Sequence, residues 1–476
     1  MQRARPLNLM RPRSGGERVT NVELFFDLVY VFAVTQISHY LLTHPTVTGA
    51  LRAGLLLAMT WLLWVYTTWV TNWLDPQRIA VRLMLLALAG ASLVMSAALP
   101  GAFSARGLIV GIAYAVTQIG RSAFTVVALR GRPLQRNFQR ILAWCLVSGA
   151  LAVLGGLAGG NARAALWLAA VAVDLLGGTV GFYTPGLGRS TTQEWAIEGG
   201  HFAERCQAFM LIALGESIVV IGATLSGLAH ITGSEIAAFI VALCGSVGLW
   251  WLYFDRSADE AARVIATSDD PGRLGRSAYH FIHPVMIAGI IAGAAADEVT
   301  LADPAAVGRA ATSWLILGGV GLFLAGHAAF KAVIWRQASW PRIGAVVILA
   351  LLGLAAPHLS ALALSTCAAA LVIAVAVADY VRQRGSGAGP ADGAGPAGGA
   401  GPAEGAGAVG GAGADDVAGA DDVAGPAGGA GVDGGSGAAG RTVPATAPTE
   451  AGPGRTGLAS ARPGPVMASQ PISAAG

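Results

Sequence analysis

Long apolar runs alternate with short polar breaks along this chain, and the runs recur at the length a helix needs to cross a bilayer. At about 20 residues per crossing, they predict helices over 22–42, 50–73, 79–99, 103–129, 139–158, 164–183, 202–229, 234–254, 278–297, 312–331, 342–358 and 360–381. Only Pro357 and a short polar break divide the last two, so a long hairpin, or ten to eleven spans in total, stays open there. From about Gly385 large apolar residues give way to a Gly/Ala/Pro tract containing the tandem ADDVAGADDVAG at 414–425. Such a segment buries too little to offset the entropy of ordering it, which predicts disorder. The expected organisation is a basic N-terminus (1–20), a multispanning domain (21–382) and a disordered tail (383–476). The fold class is all-α, a polytopic transmembrane helix bundle of about twelve spans.

Basic residues are sorted by side. Five arginines precede residue 20, and Arg130, Arg132, Arg136 and Arg140 follow the fourth run. Arg256, Arg263, Arg273 and Arg276 follow the eighth run. The alternate, outer loops carry only Arg52, Arg106, Arg163 and Arg309, while Arg78, Arg82 and Arg189 fall on the same side as the basic groups. Lys and Arg accumulate in cytoplasmic loops, so the alternation predicts twelve spans with both termini cytoplasmic. Six spans fall on either side of the 184–201 connector, which leaves a parallel six-plus-six repeat open.

Composition agrees and narrows the function. The 476 residues are 54% hydrophobic and 12% charged, with a mean hydropathy of +0.60, against roughly 25% charged residues in soluble domains. The net charge is +3, and the basic residues are dispersed rather than gathered with aromatics on one surface, which argues against nucleic acid as a partner. Cys145, Cys206, Cys244 and Cys367 stand singly in apolar sequence and read as small hydrophobes. The first run contains acids and lacks a convincing cleavage site, so it reads as a retained helix. Walker A, G-x-S-x-G and H-E-x-x-H patterns are absent from the sequence. The expectation is a protein that is not an enzyme, with no metal and no cofactor.

Two polar constellations interrupt the apolar pattern. In NVELFFDLVYVFAVTQISHY (21–40), Glu23, Asp27, Tyr30, Val34, Ser38 and Leu41 share one helical face. An acid at the centre of a spanning helix costs about 2.5 to 3.5 kcal/mol on insertion scales, less near the interface. Capping by Thr20 or Asn21 with favourable dipole contacts explains Glu23 well, and Asp27 less well. In EWAIEGGHFAERCQAFMLIALGES (194–217), His201, Glu204, Arg205, Gly215 and Glu216 lie on one polar and small face. Glu216 lies about 16 Å beyond Arg205 along the axis, deep in the bilayer. Glu204 and Arg205 also read as an interfacial ion pair. Asn72, Gln118, Arg121, Asp174, His280, His283, His327 and Lys331 add polar groups toward the cytoplasmic side, with Arg121 and Asp174 natural partners for the excess charges. Glu23 or Asp27 is expected to approach the His201, Glu204 and Arg205 face.

ELFFDLVYVFAVTQISH, followed about 180 residues later by EGGHFAERCQAFMLIALGESIVV, resembles the bacterial low temperature requirement protein A family over roughly residues 15–382. The motif positions are Glu23, Phe25, Phe26, Asp27, His201, Glu204, Arg205, Gly215, Glu216 and Ser217. The resemblance implies a multi-pass bacterial inner-membrane protein connected with growth in the cold, and it carries over no catalytic residue, substrate or cofactor. The physical reading is an ion- or proton-coupled secondary transporter or permease. Its candidate network is Glu23, Asp27, His201, Glu204, Arg205, Glu216, Arg121 and Asp174, its partners are membrane lipids, and its substrate is a small ion or small molecule. The alternative is a non-catalytic membrane protein that supports cold adaptation by binding lipids or partners.

Overall fold

Each apolar run folds as a helix in the computed structural model, which describes residues 8–12, 19–191 and 198–386. Helix α14 runs to Ser386, four residues into the tail predicted over 383–476, and the rest of that tail lies outside the described residues. The helices are α1 (Asn21–Thr43), α2 (Val47–Trp73), α3 (Ile79–Ala98), α4 (Gly107–Ala128), α5 (Leu134–Leu157) and α6 (Gly160–Thr179). They continue with α7 (Gly199–Gly227), α8 (Gly233–Phe254), α9 (Ser257–Ala266), α10 (Pro271–Gly275), α11 (His283–Ala302), α12 (Ala310–Trp335), α13 (Trp340–Ala355) and α14 (Ala361–Ser386). No strand occurs among the described residues. Twelve of these segments are long and apolar enough to cross a membrane. The ambiguity near Pro357 resolves into two crossings, since a single 3₁₀ turn, Ala356–His358, ends α13 before α14 begins.

Boundaries differ from the hydropathy reading where helices open on polar turns. Helix α5 starts at Leu134 because Pro133 at its N-cap fixes the first turn, and the residues that follow, Gln135, Arg136 and Asn137, are invisible to an apolar window. Helix α1 shows how the chain sorts its faces. Leu24, Phe25, Leu28 and Phe32 are exposed for lipid, while Glu23, Phe26, Asp27 and Tyr30 are buried against neighbouring helices.

The two sets of six spans repeat one neighbour order. Helix α1 packs on α3 as α7 packs on α11; α2 meets α6 as α8 meets α14; α3 meets α4 as α11 meets α12. This is the pattern a parallel repeat produces, and α1 and α7, the first helix of each set, also touch each other. Helices α11 and α12 approach closely through glycines. A Cβ on Gly289 would sit 2.5 Å from Phe323 N and 2.7 Å from Gly319 O, so only hydrogen fits at this crossing.

The ninth crossing is not uniformly α-helical. Between α10 and α11 the chain forms a π-helix over Arg276–Ile282. Pro284 explains it: without an N–H it cannot bond the carbonyl of His280 four residues back, and its ring crowds that carbonyl. The freed His280 carbonyl instead accepts a 3.0 Å hydrogen bond from Trp61 Nε1 on α2. A single proline thus redirects the backbone, and an indole from another helix satisfies it.

Gly289→Ala is expected to lower the unfolding temperature in detergent through overpacking of about 1 to 3 kcal/mol. Gly318→Ala on α12, whose added Cβ meets nothing within 4 Å, should leave it unchanged. Equal effects in the two variants would show that the close crossing does not set stability.

Candidate functional site

The acids of α1 are built into the fold from the first turn. Thr20 is the N-cap, and Glu23 Oε2 accepts hydrogen bonds from Thr20 N (3.0 Å) and Thr20 Oγ1 (2.8 Å). The other oxygen of Glu23 faces α7, with Arg205 Nη1 at 3.1 Å and His201 Nε2 at 3.2 Å. The capping and network readings of Glu23 therefore both hold, one for each carboxylate oxygen. One turn further on, Asp27 is gripped by two guanidinium nitrogens, Arg205 Nε at 3.1 Å and Nη2 at 2.5 Å. Trp64 Nε1 on α2 adds a 2.7 Å hydrogen bond to Asp27.

The remaining valences are also filled. Arg205 Nη1 donates to Thr71 Oγ1 at 3.2 Å, and its guanidinium carbon lies 5.7 Å from the Trp64 ring. From the N-terminal side, residues 9–11 run antiparallel to the end of α2, with Arg11 N bonded to Trp73 O and Asp75 N to Leu9 O. This strap delivers Arg11, whose Nη1 donates to Thr71 O at 2.9 Å and whose Nη2 lies 3.6 Å from Glu23 Oε2. Glu23, Asp27 and Arg205 are 0% exposed, so none has water to stabilise its charge. Two carboxylates facing two guanidiniums make the set neutral before His201 is counted, and the bidentate fork is the geometry in which such a pair is strongest.

Not every residue singled out by sequence joins this network. Glu204 is exposed and points away from it. Its helical neighbours His201 and Arg205 turn inward, so the Glu204 and Arg205 interfacial pair is absent. Arg121 and Asp174 form a separate cluster between α4, α6 and α2. Asp174 Oδ2 accepts from Tyr114 Oη and, at 2.6 Å, from Gln118 Nε2, while Gln118 Oε1 accepts from Arg121 Nη2. A glutamine thus stands between the two charges, and among the described residues neither pairs with the acids of α1. Arg121, 1% exposed, otherwise donates to Leu63 O and Thr67 Oγ1 and forms no ion pair among the described residues.

Glu216 lies about three turns further along α7, on the same buried face as Arg205 and again beside α1. It is 4% exposed, with Thr35 of α1 beside it, yet its Oε1 has no hydrogen-bond partner among the described residues. It contrasts directly with Glu23 and Asp27, whose oxygens are all engaged.

Sequence reasoning missed a third cluster. Arg342, the first residue of the run predicted over 342–358, is 0% exposed; its Nη2 donates to Asp379 Oδ2 on α14 at 2.7 Å, and its Nε donates to His327 Nδ1 at 3.3 Å. Lys331 Nζ lies 3.9 Å from the same carboxylate. The i, i+4 spacing of His327 and Lys331 is the available signal, but Asp379 stands near the end of the last apolar run, where an acid reads as the edge of the span. Arg11 was missed for a similar reason, since nothing in a short basic N-terminus announces that it folds back onto α2. No group of three or more His, Cys, Asp or Glu suited to a metal occurs among the described residues.

Removing Arg205 strands two carboxylates in the interior. Arg205→Gln is expected to cost about 3 to 5 kcal/mol, read as unfolding in detergent. Combining it with Asp27→Asn should recover part of the loss, because one stranded charge is then gone. Additive losses in this cycle would show that the two residues do not stabilise each other.

Comparison with known proteins places this geometry in a family. Residues 18–377 match the family described as bacterial low temperature requirement A protein (LtrA). The "uncharacterized protein RA0937" of Rhizobium meliloti strain 1021 is 34% identical over 362 residues, covering 75% of this chain and 88% of that protein. No solved structure matches. The α1 and α7 motifs that build the ion network lie inside the matched region, and the chain belongs to the bacterial low temperature requirement A family, as a multi-pass membrane protein.

Proposed function

We propose that this protein is an ion- or proton-coupled secondary transporter of the bacterial inner membrane, with Glu216 as the group that takes up and releases the coupling ion. The observation that carries this reading is the contrast among the acids of α1 and α7. Glu23 and Asp27 are saturated by guanidinium and indole donors, whereas Glu216 is buried with an oxygen that has no partner among the described residues. A buried carboxylate so placed is stabilised by binding a proton or a cation, which is the requirement for coupling. The paired acids serve a different purpose, holding α1 against α7 where the two sets of six spans meet.

The orientation follows from charge. The end of the bundle that carries Arg11, the Arg130 to Arg140 group and Arg276 faces the cytoplasm on the positive-inside principle. The ion network then sits at the cytoplasmic end and Glu216 beyond it, roughly 16 Å further along the α7 axis. Alternating access in such bundles proceeds by rocking one repeat against the other around a fixed site, and the α1 and α7 contact supplies the shared axis.

The test is flux in proteoliposomes over pH and ion gradients, with wild-type protein and Glu216→Gln. Gradient-dependent flux that disappears in a variant with wild-type unfolding temperature is the expected result. Undiminished flux in Glu216→Gln removes Glu216 from the mechanism. Absence of flux in the wild type under every gradient shifts the reading to support of the cold-stressed membrane by binding lipids or partners.

A further inference from the structure

A cavity of about 330 Å³ opens between α2, α4, α5, α6 and the π-helix, apart from the Glu23 and Arg205 network. Its walls are largely aromatic, with Tyr66, Trp69 and Trp73 from α2 facing Phe182 and Phe281. Among the described residues its charged side chains have one sign: Arg121, Arg189 and Arg276 line it together with His280, and no Asp or Glu does.

These cationic groups are incompletely satisfied. Arg121 makes no ion pair among the described residues, and its guanidinium carbon lies 5.2 Å from the Tyr66 ring. Arg276 donates from Nη1 to Gly178 O at 2.5 Å, but its buried Nε has no partner among the described residues. His280 is 7% exposed and is held edge to face against Tyr66 at 5.6 Å. Its ring makes no hydrogen bond among the described residues, since the His280 bond to Trp61 is made by the backbone carbonyl. Arg276 and His280 both belong to the π-helix that Pro284 imposes, and π segments concentrate at functional sites because they re-aim side chains.

We propose that this cavity binds an amphiphilic organic oxyanion, a carboxylate or phosphate joined to an aromatic or acyl group. The oxyanion is received by Arg121, Arg276 and His280, because guanidinium forks match carboxylate and phosphate geometry and pair strongly where water is scarce. The apolar part lies along Trp69 and Trp73, whose faces offer large contact area. Arg189, exposed at residues 189–191 of the lining, adds positive potential at the entrance. The same chemistry is carried by a free aromatic acid and by the headgroup of an anionic lipid. The site stands without reference to coupling, so its failure and the failure of the Glu216 reading are separable.

The experiment is calorimetric titration of the purified full chain in dodecylmaltoside with 4-phenylbutyrate, and with its neutral amide as control. Saturable binding of the acid only is expected, weakened about tenfold or more by Arg276→Gln and less by Arg189→Gln, which tests an exposed position outside the packed core. Repeating the titration in nanodiscs separates the sources. Binding retained in both phosphatidylcholine and phosphatidylglycerol discs supports a soluble oxyanion, and binding blocked only by phosphatidylglycerol supports a lipid headgroup as occupant. Equal binding of acid and amide, affinity unchanged in both arginine variants, or no binding of the acid in dodecylmaltoside or phosphatidylcholine discs would overturn the proposal.

Discussion

The seating of α1 against α7 depends on neutralising Asp27 and Glu23 where no water reaches them. Arg205 does so with both edges of its guanidinium, two nitrogens to Asp27 and one to Glu23, while Trp64, Thr71, Thr20 and Arg11 complete the shell. A buried ion pair of this kind contributes little net stability over an apolar substitute, but losing one member is severe. Its effect is therefore on specificity. It fixes the register of α1 against α7 and brings the end of α2 and the N-terminal strap to the same point.

The second structural theme is the difference between acids that hold helices together and an acid that is left available. Asp379 is shared by Arg342 and Lys331. Asp174 is fixed by a tyrosine and a glutamine. Glu216 stands outside this pattern although it lies on the same helix as Arg205. Charge alone does not distinguish these residues; their partners do.

Much of the fold was written in the hydropathy pattern, because a membrane span must be apolar over a fixed length whatever it packs against. The crossings emerge with small shifts at polar first turns, as at Leu134. The meeting of α1 with α7 was also readable, since few partners exist for two acids in an apolar helix. What could not be read were relations set by tertiary packing. Gln118 between Arg121 and Asp174, the outward turn of Glu204, the inward turn of Arg342 and the return of Arg11 onto α2 all depend on which way a side chain leaves its helix. The π-helix had a visible cause in Pro284, but nothing local to it reveals that Trp61, 219 residues away, caps the freed carbonyl.

The wide separation of the central ion pair bears on how the protein is made. Asp27 and Arg205 are 178 residues apart. As the chain emerges from the ribosome, α1 reaches the bilayer long before its guanidinium partner has been translated. Trp64 and Arg11 are the partners within earlier reach, so α1 and α2 with the N-terminal strap form a provisional shelter for the two acids. Arrival of α7 then closes the circuit, coupling the start of the second half to the final seating of the first.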